Sequence, residues 1–286
     1  MRMLAPLLAL AGSLLFTPMA AALSEYGIEG MGRISTRANE GRASIAADGQ
    51  RIVFASDRDG GAGGWDLWQS VLEDGRWGQP QPLALNTDAD ELDPYLSQDG
   101  RWLYFASTRR GGKGGADLYR APVTADGYGP AAPVPGVPNS GADERSPTLS
   151  ADGNALLFVR LPARGPGQVW LAQGPTWDQV DVLPMAEVAD VRAASWLGDG
   201  QGLVFTRAQG AYQQVWVATC VNGRYDRAQP LALSFNTEQA TTTHALVDAS
   251  KPGELLVSGS AHAPRAGGQD IYRLKSPTVS GNGRCR

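Results

Sequence analysis

A glutamate preceded by Asn or Asp recurs three times at nearly one interval, as Asn39-Glu40, Asp90-Glu91 and Asp143-Glu144. Asp190 stands where a fourth copy belongs, and Thr241-Thr242-Thr243-His244 stands where a fifth does. Carboxylates gathered on one axis repel, so they raise one another's pKa or recruit a cation. Such a ring suits a metal ion or a basic segment of a partner. It also suits two-carboxylate cleavage of a glycosidic bond, with Glu91 and Glu144, or Asp90 and Asp143, as the pair. The competing reading is structural: each Glu accepts backbone N–H groups of its own repeat. Residues repeated almost identically serve the repeat more often than a reaction, because a catalytic constellation is needed once. The other catalytic signals are absent. His244 and His262 are the only histidines, and the chain has no serine nucleophile elbow, no His-Glu-x-x-His and no clustered His/Cys set.

A second candidate lies in two near-copies, SDRDGGAGGWDLW at residues 56–68 and STRRGGKGGADLY at 107–119. Arg58, Arg109, Arg160 and Arg207 recur, and Asp66 and Asp117 follow the first two. The hairpin between them predicts an in-repeat Arg–Asp pair, which a charge-assisted bond would favour. Gln168 and Gln214 replace the acid where the Gly-Gly loop is lost, so acid and loop change together. No cofactor is expected. The rival is Ca²⁺ in the first loop, held by Asp57 or Asp59 with Asp66, although Ca²⁺ wants more oxygen ligands than one such loop carries. Cys220 and Cys285 form one disulfide or remain two unrelated thiols.

The elements that must position these residues follow from the punctuation. Asp-Gly turns at residues 48–49, 99–100, 152–153 and 199–200, with Lys251-Pro252-Gly253 as a degenerate fifth, are spaced by 51, 53, 47 and 53 residues. Gly supplies the positive φ that such turns need. An apolar strand follows each clear turn and carries Phe54, Phe105, Phe158 or Phe205, while Leu255-Leu256-Val257 takes that place in the fifth copy. A further strand then opens with a polar residue, an aliphatic and an aromatic, as in Asp66-Leu67-Trp68 and Asp270-Ile271-Tyr272. Another turn and an aromatic (Trp77, Tyr128, Trp177, Tyr225) begin an outer strand. Four antiparallel strands per repeat, repeated radially, make a β-propeller. The recurring aromatics should fill the space between neighbouring blades.

The expected fold is all-β: a five-bladed β-propeller over residues 23–275, followed by a tail over 276–286. The last repeat stops after its third strand. The segment from Tyr26 to Ser35 should therefore be the outer strand of the last blade, closing the ring and removing a sheet edge. In this geometry Glu40, Glu91, Glu144, Asp190 and His244 lie at one mouth of the central channel and are the candidate ligand-binding residues.

The run ELDPYLSQDGRWLYFASTRRGGKGGADLY, Glu91 to Tyr119, resembles the TolB-like β-propeller repeat, a WD-repeat-like family. The resemblance covers essentially the whole of residues 23–286; it is strong in the first two repeats, fair in the third and weak in the last two. It departs from the family in lacking a Pro before Asp-Gly. It also departs from the family's namesake, which carries an N-terminal α/β domain and six blades. The resemblance implies an exported propeller that binds envelope proteins or carbohydrate; some relatives are parts of peptidases or lyases.

Bulk composition fits export. Arg2, the apolar run from Leu4 to Phe16 and Ala20-Ala21-Ala22 read as a signal peptide over residues 1–22. The run is shorter than the about 20 residues a bilayer span needs, so no membrane insertion is expected after cleavage. The formal charge of −4, about −5 without Arg2, argues against nucleic acid and against an anionic membrane surface. The expectation is a periplasmic or secreted monomer that scaffolds an envelope protein or a cell-wall glycan without catalysis. A carbohydrate-active hydrolase or lyase using the mouth carboxylates is the alternative.

Overall fold

The computed structural model describes residues 28–283 and 285, apart from residues 175, 184, 186–189, 263 and 264. The expected signal peptide lies outside the described residues. The structure is a five-bladed β-propeller of antiparallel sheets, ordered around the axis as the repeats run in sequence. Its innermost strands are Glu40–Ile45, Glu91–Leu96, Asp143–Leu149, Val191–Leu197 and Thr243–Val247. Each packs beside the next, and the fifth beside the first.

Blade five is completed by the N-terminal segment, as Glu29–Gly30 pairs with Asp270–Lys275. Tyr26, where the expected strand begins, lies outside the described residues; at its other end the strand stops at Gly30, short of Ser35. Gly32, at φ 59°, turns the chain into a 3-10 turn over Gly32–Ile34. The turn drops Met31 and Ile34 into the seam between blades five and one, against Ile52, Phe54, Trp68, Leu256 and Ile271. A longer straight strand would leave that seam unfilled. The repeated aromatics do fill seams: Phe105 and Tyr119 of blade two pack on Val53 and Leu67 of blade one.

Blades are also sewn together through backbone groups. The N–H groups of Glu40, Glu91, Glu144, Val191 and Thr242 donate to carbonyls of Gln269, Trp65, Ala116, Gly167 and Gln213 in the preceding blade, at 2.7–3.0 Å. The Gly-rich loops permit this approach. A Cβ on Gly63 would lie 2.1 Å from the Ala89 carbonyl oxygen, and one on Gly114 1.9 Å from that of Ala142.

The last strand ends at Lys275, and the tail then crosses to blade four. Val279 packs over Gly202, Asn282 bonds Asn222, and Cys285 is disulfide-bonded to Cys220. Among the described residues no helix is long and apolar enough to cross a membrane.

Candidate functional site

Glu40, Glu91 and Glu144 sit inside their blades with no exposed surface. Each is closed in by the same set of groups. The hydroxyl and backbone N–H of Thr36, Thr87 or Ser140, four residues earlier, donate to its two oxygens. Arg58, Arg109 or Arg160 donates to it at 2.8–3.1 Å. The guanidinium lies over Phe54 and Trp68, over Phe105 and Tyr119, or over Phe158 and Trp170. It also donates to the carbonyl of Ile34, Leu85 or Pro138. Burial raises the pKa of Glu40 and Glu144 against these bonds, and burial lowers that of Arg58 against its attraction to Glu40.

The Arg partner is therefore Glu, which corrects the expected pairing with Asp66 and Asp117. Those aspartates accept the loop's own N–H groups instead: Ala62 and Gly63 on Asp66, Lys113 and Gly114 on Asp117. Asp270 does the same for Ala266 and Gly267. The reason is geometric. A Gly-rich loop turns several N–H groups inward, and one carboxylate satisfies two of them. These N–H groups meet Asp66 where the rival reading would put Ca²⁺. Among the described residues no group of three or more His, Cys, Asp or Glu could hold a metal ion.

Asp190 occupies a different register from the glutamates. With Asn39, Asp90 and Asp143, it accepts an N–H from the preceding blade: Gln269 on Asn39, Trp65 on Asp90, Ala116 on Asp143, Gly167 on Asp190. It also pairs with Arg192. Val191 and Thr242 take the glutamate position in blades four and five.

The channel itself is filled by residues two positions after the glutamate, most of which the sequence reading did not single out. Every innermost strand carries a one-residue register shift near its start. Such bulges re-aim side chains. Asp93, Ser146 and His244 adopt left-handed φ values of 54°, 59° and 56° at these bulges. Non-glycine residues held there store strain, a feature that clusters at functional sites.

Arg42 of blade one reaches across the channel to blade three, donating to Ser146 Oγ at 2.7 Å and Thr148 Oγ1 at 2.8 Å. Asp93 of blade two meets Arg145 Nε of blade three at 2.7 Å and His244 Nε2 of blade five at 3.3 Å. Ser146 Oγ also exchanges hydrogen bonds with the Ala194 backbone of blade four. All five blades thus meet in one polar plug. Burial alone would push the Asp93 carboxyl up, but Arg145 and then His244 hold it well below the usual carboxylate range. Burial brings the Arg42 pKa down to about 10, against the pull of Asp93. Of the predicted site residues only His244 reaches this centre; its side chain and that of Arg145 are each 22% exposed. The sequence signal for the plug was a fixed offset from the glutamate at which the repeats differ: Arg42, Asp93, Ser146, Ala193, His244.

Chemically the plug holds charges still. Ionised Asp93 has no proton to give, and Ser146 Oγ is committed to Arg42 and Ala194. Beyond Thr148, on the Asp-Gly turn face, the channel opens into a pocket of about 290 Å³. The described residues that line it are uncharged and come from blades two to five, among them Tyr95, Trp196, Leu246 and Ala249. A larger cleft of about 1110 Å³ lies at the seam of blades five and one, among charges of both signs.

No protein-family model matches the chain, and no curated protein matches it in sequence. Solved structures share its fold. A putative TolB from Agrobacterium tumefaciens is 13% identical at a TM-score of 0.50, covering 88% of this chain and 97% of its own. The GH43 endo-arabinanase of Bacillus licheniformis is 15% identical at a TM-score of 0.53, covering 86% and 97%. TolB of Acinetobacter baumannii is 18% identical at a TM-score of 0.45, with 84% of this chain covered; the chain spans 44% of its length. These likenesses concern the propeller fold alone. The fold fits the TolB-like repeat read in the sequence.

Proposed function

We propose that the chain is an exported propeller that binds an envelope protein or wall glycan and does not turn it over. The observation that carries this reading is the identical enclosure of Glu40, Glu91 and Glu144. A glycosidase presents two carboxyl groups to its substrate, one protonated and one ionised. Here the three glutamates are closed off from any sugar oxygen and spent on their own blades. The channel acid, Asp93, is held ionised between Arg145 and His244. The Cys220–Cys285 disulfide supports a place outside the cytoplasm, where such bonds persist.

The test uses residues 23–286 as purified protein. It is immobilised and exposed to crosslinked envelope extract, and separately to an array of wall glycans, with products followed by mass spectrometry. Saturable retention of one partner or glycan, recovered unchanged, supports the reading. Shortened or unsaturated glycan products would overturn it in favour of the hydrolase or lyase.

A further inference from the structure

The tripeptide Asn-Gly-Arg occurs twice, at residues 222–224 and 282–284, and the fold clamps its two asparagines together. The Asn222 backbone N–H donates to Asn282 Oδ1 at 2.8 Å, and Asn282 Nδ2 donates to Asn222 Oδ1 at 2.8 Å. The clamp holds the tail to blade four beside the Cys220–Cys285 disulfide. Both asparagines are exposed.

Asparagine is among the chemically labile residues, and a following glycine makes it more so. Glycine has no side chain to shield its amide nitrogen, which attacks the asparagine Cγ. The reaction is intramolecular, so its rate depends on whether the backbone can bring the two atoms together. The two copies differ in that freedom. Asn222 and Gly223, at φ 51° and 82°, form the two-residue turn of a hairpin. Val221 pairs with Arg224 and Cys220 with Tyr225 beside it, so the ladder fixes the direction of the Gly223 N–H. Asn282 lies in no strand. Its N–H donates to the Cys220 carbonyl at 3.1 Å, and Cys285 is held by the disulfide and by the Gly200 carbonyl. Between these anchors the Gly283 N–H has no hydrogen-bond partner among the described residues. A Cβ on Gly283 would meet only Cys220 Sγ, at 3.9 Å.

The amides under attack differ too. Ring closure puts negative charge on the asparagine Oδ1. At Asn282 that oxygen already accepts the Asn222 backbone N–H, which the hairpin holds still. A donor fixed in advance where charge develops lowers the barrier. At Asn222 the donor to Oδ1 is the Asn282 side chain instead.

We propose that Asn282 is a site of spontaneous deamidation and that Asn222, followed by the same two residues, is spared. Hydroxide takes the Gly283 amide proton, and the nitrogen bonds to Asn282 Cγ. The Cγ–Nδ2 bond breaks, and ammonia leaves with a proton returned from water. Water then opens the cyclic imide at either carbonyl. One opening gives aspartate, and the other gives isoaspartate, which adds a carbon to the main chain. The clamp loses its Nδ2 donor and the tail gains a negative charge, while the disulfide keeps the tail attached. The site stands whether or not the envelope-binding reading holds.

Purified residues 23–286, kept folded in mildly alkaline buffer for weeks, test the proposal. Peptide mass spectrometry, with fragmentation that separates aspartate from isoaspartate, follows both asparagines. A parallel sample is reduced and unfolded in guanidinium chloride. Both asparagines should convert at comparable rates in the unfolded chain. In the folded protein residue 282 should convert severalfold faster than residue 222. Gly283→Ala, with an unchanged circular dichroism spectrum, should slow conversion at 282 severalfold and leave 222 as in the wild type. Conversion at 222 as fast as at 282 in the folded protein overturns the proposal. So does an intact Asn282 in the folded sample once the unfolded one has converted, or a rate at 282 that folded Gly283→Ala leaves unchanged.

Discussion

Each buried glutamate and its arginine share one closed shell, so neither can lose its partner cheaply. Removing one member of a buried pair leaves an uncompensated charge, at about 3–5 kcal/mol. Arg109 keeps a little solvent contact, so the low end applies. Glu91→Gln should cost about 3 kcal/mol by urea unfolding with an unchanged slope; a loss below about 1 kcal/mol would show the pair to be idle. Asp93 sets a pH dependence of definite sign. Its folded pKa lies below the ordinary value, so its contribution is present above about pH 4 and is lost as pH falls further. Glu40 and Glu144 have the opposite sign: their contribution is present at acid pH and is lost as pH rises through their raised values. Asp93→Asn should therefore flatten the loss of stability between about pH 5 and 3, as followed by thermal melts across that range.

At the scale of elements, the Gly-rich loops are seams as well as turns. Gly63 and Gly114 lie against the next blade's carbonyls, whereas Gly75, at φ 74°, has nothing within 4 Å of where a Cβ would stand. Gly63→Ala must push two blades apart and should cost about 2–3 kcal/mol. Gly75→Ala meets only backbone strain, worth about 1 kcal/mol. Differential scanning calorimetry on the two variants separates the costs; equal values would remove the loop from the seam. Strand order, turn positions and the aromatic seams were legible because each repeats with the blade. The Arg–Glu pair was not, because the glutamate lies a whole strand away from its arginine. The Thr or Ser four residues before each glutamate was the visible clue.

For the whole molecule, ring closure and the tail decide stability. Cys220 and Cys285 are 65 residues apart, and closing a loop of that length in the unfolded chain is worth about 4 kcal/mol. Cys285→Ala should lose about that much, and dithiothreitol should lower the wild-type melting midpoint but leave the variant's unchanged. The amino-acid sequence by itself determined the blade, its count and its closure, because turn chemistry and strand alternation are local and recur. It also determined which acids stand at the start of the innermost strands. Only the tertiary structure decided which way those acids face. Glu40, Glu91 and Glu144 turn into their blades because Thr or Ser, Arg and an aromatic pair enclose them there. The channel went instead to Arg42, Asp93, Ser146 and His244, one from each of four blades. Their contacts cross the axis between blades that are not neighbours, and no local pattern in one repeat encodes a partner half a ring away.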